Sequence, residues 1–151
     1  MPDKSKIYNN HLCVLSDLSE LLHIREFVRQ KAEDFGFGEE EAYKISLAVD
    51  EACSNLIRYA YNFAKDKEIC INIESNENQF IVNILDTGEP FNPLVIPETD
   101  MKEYFEKFKR GGLGIQIMRK VMDEIAYTPS HGGDTFNSLR LKKNLSYTVL
   151  T

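Results

Sequence analysis

The chain has 151 residues, 42% of them hydrophobic, and a formal net charge of −6. That is the size and make-up of one soluble globular domain with a core of its own. The acidic balance argues against a footprint on a phosphate backbone, so nucleic acid is not expected as a partner.

No stretch approaches the roughly 18 apolar residues of a membrane span, and the opening MPDKSKIYNN has no apolar signal core. Neither a span nor a signal peptide is expected. The cysteines Cys13, Cys53 and Cys70 are widely spaced with no CxxC, which reads as reduced thiols in a cytoplasmic protein. The histidines His11, His23 and His131 are also scattered, so a structural or catalytic zinc is not expected.

Residues 1–10 read as an N-terminal extension. His11 to Leu15 is short and partly apolar, and predicts a first strand at a sheet edge. Ser16 or Asp17 can cap the next helix, with Glu20 at nearly capping-box spacing. A helix over Leu18 to Phe35 gathers Leu21, Leu22, Ile24, Phe27, Val28 and Ala32 largely on one side. Arg25 and Arg29 fall on the other, as solvated charge or as a partner-binding face. Gly36 suits the left-handed position that ends the helix.

Glu39, Glu40 and Glu41 open a second helix, where negative charge meets the positive end of the dipole. Its apolar positions predict continuation to about Phe63. This helix carries SLAVDEACSNLIRYAY, from Ser46 to Tyr61, with Glu51 and Asn55 one turn apart on one face. Most such pairs are simply solvated. The sharper reading is a carboxylate that takes a proton and an amide oxygen that binds a hard cation such as Mg²⁺.

Glu68 to Ser75 and Gln79 to Asp86 alternate apolar and polar residues around the turn formers Asn76-Glu77-Asn78, which predicts a hairpin. The second strand runs into Asp86-Thr87-Gly88-Glu89-Pro90-Phe91. That string is a turn or a carboxylate presented to a pocket. Leu94 to Arg110 shows no strand, with a short helix possible over Met101 to Lys109; such long connections are disordered or functional. Gly111-Gly112-Leu113-Gly114 precedes a helix from Ile115 to about Glu124, either as a hinge or as a phosphate-binding N-terminus. Strands follow at Ile125 to Pro129 and Thr135 to Lys142, joined by a tight turn at His131 to Asp134. The tail from Asn144 is unassigned. The chain reads as a single α+β domain.

EACSN on a helix, DTGEPF after a strand, GGLGI opening a helix and a threonine in a late strand stand in one order. In that order the sequence resembles the GHKL, or Bergerat-fold, ATPase superfamily, and within it the small bacterial anti-sigma factor serine/threonine kinases. The resemblance covers His11 to Lys143, with an ATP lid at about residues 93–112 and a C-terminal tail at 144–151. It implies a two-layer α/β sandwich: a mixed, mostly antiparallel sheet covered by helices on one face. It implies ATP and Mg²⁺ as cofactors. It makes Glu51 the general base, Asn55 the Mg²⁺-binding residue and Asp86 the reader of the adenine amino group, with Gly88 beside it. Gly112 and Gly114, flanking Leu113, become the phosphate-contacting glycine box, and Thr135 the support of the adenine site.

The partners implied are a STAS-domain anti-anti-sigma protein and a sigma factor, met through the first helix around Arg25 and through the lid. A homodimer is expected. Tyr59 departs from the family's usual histidine, and Asp50 adds a charge beside Glu51. The alternatives are an ATP-gated protein-binding module without kinase activity and an ATP-binding fragment with another output. The retained Glu51 favours a kinase, because a pure binder has no need of a base.

Overall fold

The computed structural model describes residues 6–8, 10–94, 111–131 and 135–146. In chain order the elements are β1 (Lys6–Tyr8), β2 (His11–Leu15), α1 (Leu21–Phe35), α2 (Glu39–Asn55), β3 (Glu68–Asn76), β4 (Gln79–Asp86), α3 (Gly111–Val121), β5 (Glu124–Thr128) and β6 (Asn137–Asn144). The strands form one six-stranded sheet in the order β1-β2-β3-β4-β6-β5. Every pairing among the described residues is antiparallel.

Period-2 alternation fixes which face is dry. Leu12 pairs with Ile71, Ile71 with Ile84, and Ile84 with Leu139, so one row of apolar side chains crosses four strands. These residues share a single core with Ile24 and Val28 of α1, Ile45 and Val49 of α2, and Ile115 and Met118 of α3. The result is the expected α+β sandwich of a sheet and a helical layer. α2 packs against both α1 and α3.

Several boundaries differ from the sequence reading. The edge strand is β1, drawn from residues expected to be an extension, so β2 lies one place in. The first helix opens as a single 3₁₀ turn, Leu18–Glu20, where Asp17 Oδ1 accepts the Ser19 amide at 3.0 Å; the α-helix starts at Leu21. Glu20 Oε2 pairs with His23 Nδ1 at 2.6 Å. Gly36 ends α1 at φ +131°, donating to the carbonyls of Ala32 and Glu33. The glycines at 111–114 begin the third helix rather than precede it, and it ends at Val121. β6 starts at Asn137, which leaves Thr135 outside the strand. The expected helix over Met101 to Lys109, the centre of the His131 to Asp134 turn and the end of the tail lie outside the described residues.

The second helix also stops short of Phe63. After Asn55 the chain widens into one π turn, Leu56–Ala60, closed by the Tyr61 amide on the Leu56 carbonyl at 2.9 Å. Asn62 and Phe63 then take left-handed φ values of 51° and 64°. Such π turns recur at functional sites.

The expectation of three reduced thiols is overturned. Cys13 and Cys70 are directly opposed in the β2–β3 ladder, 4.1 Å apart at Cα, and form a disulfide. Strand register, which sequence spacing hides, brings them together. Cys53 is the free cysteine, buried on α2.

Candidate functional site

The inner face of the sheet carries a polar pair at its β4–β6 end. Asp86 and Asn137 are register partners on the same face as the core residues Ile84 and Leu139. Both are buried. A buried carboxylate must be hydrogen-bonded. Asp86 Oδ1 accepts the Gly88 amide at 2.9 Å and Asn137 Nδ2 at 3.0 Å. The same Nδ2 reaches the Gly88 carbonyl at 2.9 Å, while Asn137 Oδ1 accepts the Ser130 amide at 2.8 Å. Asn137 therefore uses the nitrogen of its amide to hold the loop after β4 and the oxygen to hold the segment after β5, both against the start of β6. Burial pushes the Asp86 carboxyl above its ordinary value, and the bonds from Asn137 and Gly88 offset part of that.

Gly88 is fixed by space. A Cβ there would lie 2.6 Å from the Ala60 carbonyl oxygen. Next to it, the Glu89 amide donates to that same carbonyl at 3.1 Å. The π turn and the Asp86 loop thus touch backbone to backbone. Tyr61, directly after the turn, adds a second tie: its hydroxyl accepts the Thr87 amide at 2.8 Å and donates to the Glu68 carbonyl at 2.5 Å. Further along, Tyr127 Oη accepts the Phe91 amide at 3.0 Å. The Phe91 ring stacks on Tyr59 with centroids 4.7 Å apart. Arg119 of α3 donates to the Leu94 carbonyl at 3.1 Å. Residues 86–94 are therefore pinned at several points before the chain enters 95–110, which holds most of the expected lid and lies outside the described residues.

On α2, Glu51 is half-buried and Asn55 almost fully buried, at 1% exposure. Neither Asn55 Oδ1 nor Nδ2 has a hydrogen-bond partner among the described residues. A buried carboxamide without partners costs free energy. It therefore suits an oxygen donor built for a ligand, which fits the expected Mg²⁺ role. Asp50 pairs with Arg25 of α1, Oδ1 to Nε, at 3.5 Å. Burial raises the Asp50 carboxyl above its usual range, and the charges of Arg25 and Arg58 oppose that. Cys53, one turn before Ile57, is pushed well up by burial first, then by the charges of Asp50 and Asp86. Asp86 thus lies close enough to α2 for its charge to act on a side chain of that helix.

Gly112, Leu113 and Gly114 lie in the first turn of α3, where backbone amides have no helical partner. Because α3 packs on α2, this turn belongs to the helical layer that carries Glu51. Thr135 stands before β6, its Oγ1 accepting the His131 amide at 3.0 Å.

A sequence model described as the histidine kinase-like ATPase domain matches residues 14–143. The chain belongs to this family. Among curated relatives of the ATPase domain, the serine-protein kinase RsbW of Bacillus subtilis is 29% identical over 109 residues, covering 69% of this chain and 67% of the relative. The RsbW of Oceanobacillus iheyensis is 30% identical over 105 residues, covering 67% and 66%. The histidine kinase domain of the Erythrobacter litoralis EL346 blue-light activated histidine kinase superposes with a TM-score of 0.50 at 18% identity, covering 96% of this chain and 65% of that one. That likeness shows the fold. The chain spans about two thirds of the length of these relatives.

Sequence reasoning missed Asn137, Tyr61 and the π turn. For Asn137 a signal was present. In NSLRL it falls in phase with Leu139 and Leu141, a polar residue on an apolar face. Tyr61 and the π turn left no such trace.

Proposed function

We propose that this ATPase domain is an ATP-dependent serine/threonine-protein kinase and anti-sigma factor, which phosphorylates a STAS-domain antagonist and sequesters a sigma factor, as a homodimer in the cytoplasm. The observation that carries the reading is the buried Asn55 amide one turn beyond Glu51, which has no hydrogen-bond partner among the described residues. The serine-protein kinase relatives support the reaction class.

In this reading Asp86 accepts a hydrogen bond from the adenine amino group, with Gly88 leaving room beside it and Thr135 supporting the pocket. The amides of Gly112, Leu113 and Gly114 face the phosphates, where a helix N-terminus favours negative charge. Asn55 Oδ1 would hold Mg²⁺, which supplies charge neutralisation on the phosphates when bound. Glu51 takes the proton of the attacking serine or threonine hydroxyl. Positioning and electrostatics supply most of the rate.

Arg25 sits on the partner face. It lines a shallow groove of about 170 Å³ with Leu22, Tyr43 and Ser46, and Leu22 and Tyr43 are large apolar residues left more than half exposed. Its ion pair with Asp50 ties the first helix to α2, the helix of the proposed base, which supports this reading.

Thermal unfolding with and without Mg-ATP tests the nucleotide site. Ligand at a hundred times its dissociation constant stabilises by about 2.7 kcal/mol. The shift is expected in the wild type and lost in Asp86→Asn. Phosphate transfer to a STAS-domain protein tests the reaction: Glu51→Ala keeps nucleotide binding and loses transfer. Transfer at the wild-type rate in that variant would remove Glu51 as base. A nucleotide shift without any transfer by the wild type would favour the ATP-gated binding module.

A further inference from the structure

The outer face of the sheet, away from the helices, carries a cluster that the nucleotide site does not use. His11, Cys13 and Cys70 stand on the adjacent strands β2 and β3. His11 Nε2 is 3.2 Å from Cys13 Sγ, and the three ligand atoms lie within 4.8 Å of one another. Glu68 Oε1 lies 3.4 Å from Cys70 Sγ. Cys70 is buried, and His11 and Cys13 are half-buried.

We propose that these residues form a thiolate zinc site that opens when the Cys13–Cys70 bond is reduced. The donor set decides the metal class. Two sulfurs and an imidazole suit a borderline-soft d¹⁰ cation and not Mg²⁺ or Ca²⁺. Tetrahedral zinc, with bonds of about 2.3 Å to sulfur and 2.0–2.1 Å to nitrogen, needs neighbouring ligand atoms roughly 3.5–3.8 Å apart. The His11-to-Cys13 spacing of 3.2 Å is close to that already. Once the sulfurs are unbonded, small side-chain rotations bring them into range. Three ligands from two paired strands are held by the ladder itself, so little order has to be created on binding. The fourth position is left to water.

The chemistry balances with a small dithiol as reductant. The Sγ–Sγ bond breaks, two electrons and two protons come from the dithiol, and the dithiol leaves as its cyclic disulfide. Zn²⁺ then displaces both thiol protons, forming two Zn–S bonds and one Zn–N bond to neutral His11 with release of two protons. The metal undergoes no redox change. Oxidised, the same sulfurs are tied to each other and cannot ligate.

The test is titration of the full chain with Co²⁺ and then Zn²⁺, reduced and oxidised. The reduced wild type is expected to take up one Co²⁺ with a thiolate-to-cobalt charge-transfer band, which Zn²⁺ abolishes by displacement. The oxidised chain shows no band. Cys13→Ser and Cys70→Ser lose it, and His11→Asn binds Zn²⁺ at least about tenfold more weakly. Absence of the band in the reduced wild type, or equal binding by the oxidised chain, overturns the proposal. A second measurement needs no variant: Zn²⁺ should slow iodoacetamide labelling of Cys13 and Cys70 in the reduced wild type about tenfold or more. Unchanged labelling overturns the site even where the serine variants fail to fold.

Discussion

Asn137 Nδ2 donates to Asp86 Oδ1 at 3.0 Å across the β4–β6 register, and to the Gly88 carbonyl at 2.9 Å. One carboxamide thus holds a buried charge and the loop beyond it. Asn137→Ala leaves the carboxylate with the Gly88 amide alone. A loss of about 1–3 kcal/mol is expected in denaturant unfolding, together with a weaker Mg-ATP shift. Asn137→Asp sets two carboxylates face to face and should cost more. Wild-type stability in the alanine variant would show that the loop holds without this bond.

The Asp86 carboxyl has its pKa raised above the ordinary 3.8 by burial. Between 3.8 and the folded value the folded chain binds more protons than the unfolded one, so stability falls as pH rises through that window. At neutral pH the whole cost is present. Asp86→Asn, whose amide oxygen can still accept from Asn137 and Gly88, should therefore melt at or above the wild-type temperature at pH 7. The gap should shrink as the pH drops below the folded value. A gap that widens on acidification would contradict the sign.

Gly88→Ala tests the contact with the π turn. The added Cβ meets backbone, the Ala60 carbonyl at 2.6 Å, which no rotamer change relieves. Destabilisation of about 1–3 kcal/mol is expected, as for overpacking in a core. Hydrogen exchange should also rise at the Glu89 amide. An unperturbed variant would mean that the two segments separate freely.

The Cys13–Cys70 bond joins positions 57 residues apart. Constraining a loop of that length is worth roughly 4 kcal/mol in the chain-entropy account. Reduction in a metal-free buffer with chelator should lower the unfolding free energy toward that extent. An unchanged denaturant midpoint would contradict it.

Much of the fold was legible because periodicity speaks for packing. β2 was found to the residue, and the β3–β4 hairpin nearly so, because Ile69, Ile71 and Ile73 alternate cleanly with polar neighbours. The same periodicity put Glu51 and Asn55 on the second helix and Asp86 at the end of a strand, as the fold has them. What escaped depended on pairing between distant segments. The disulfide follows from register, the Asn137 bridge from two strands meeting at their ends, and the edge strand from three residues too short to show a period.

The π turn at Leu56–Ala60 has a consequence for the direction of everything after it. A helix advances about 100° per residue, so one residue more in a turn is a change of phase. Deleting one residue from this turn would restore an ordinary helical repeat with its hydrogen bonds intact, yet rotate Tyr61 away from Thr87 and Glu68. Where that hydroxyl points is decided by how many residues the turn contains, whatever their helix propensity.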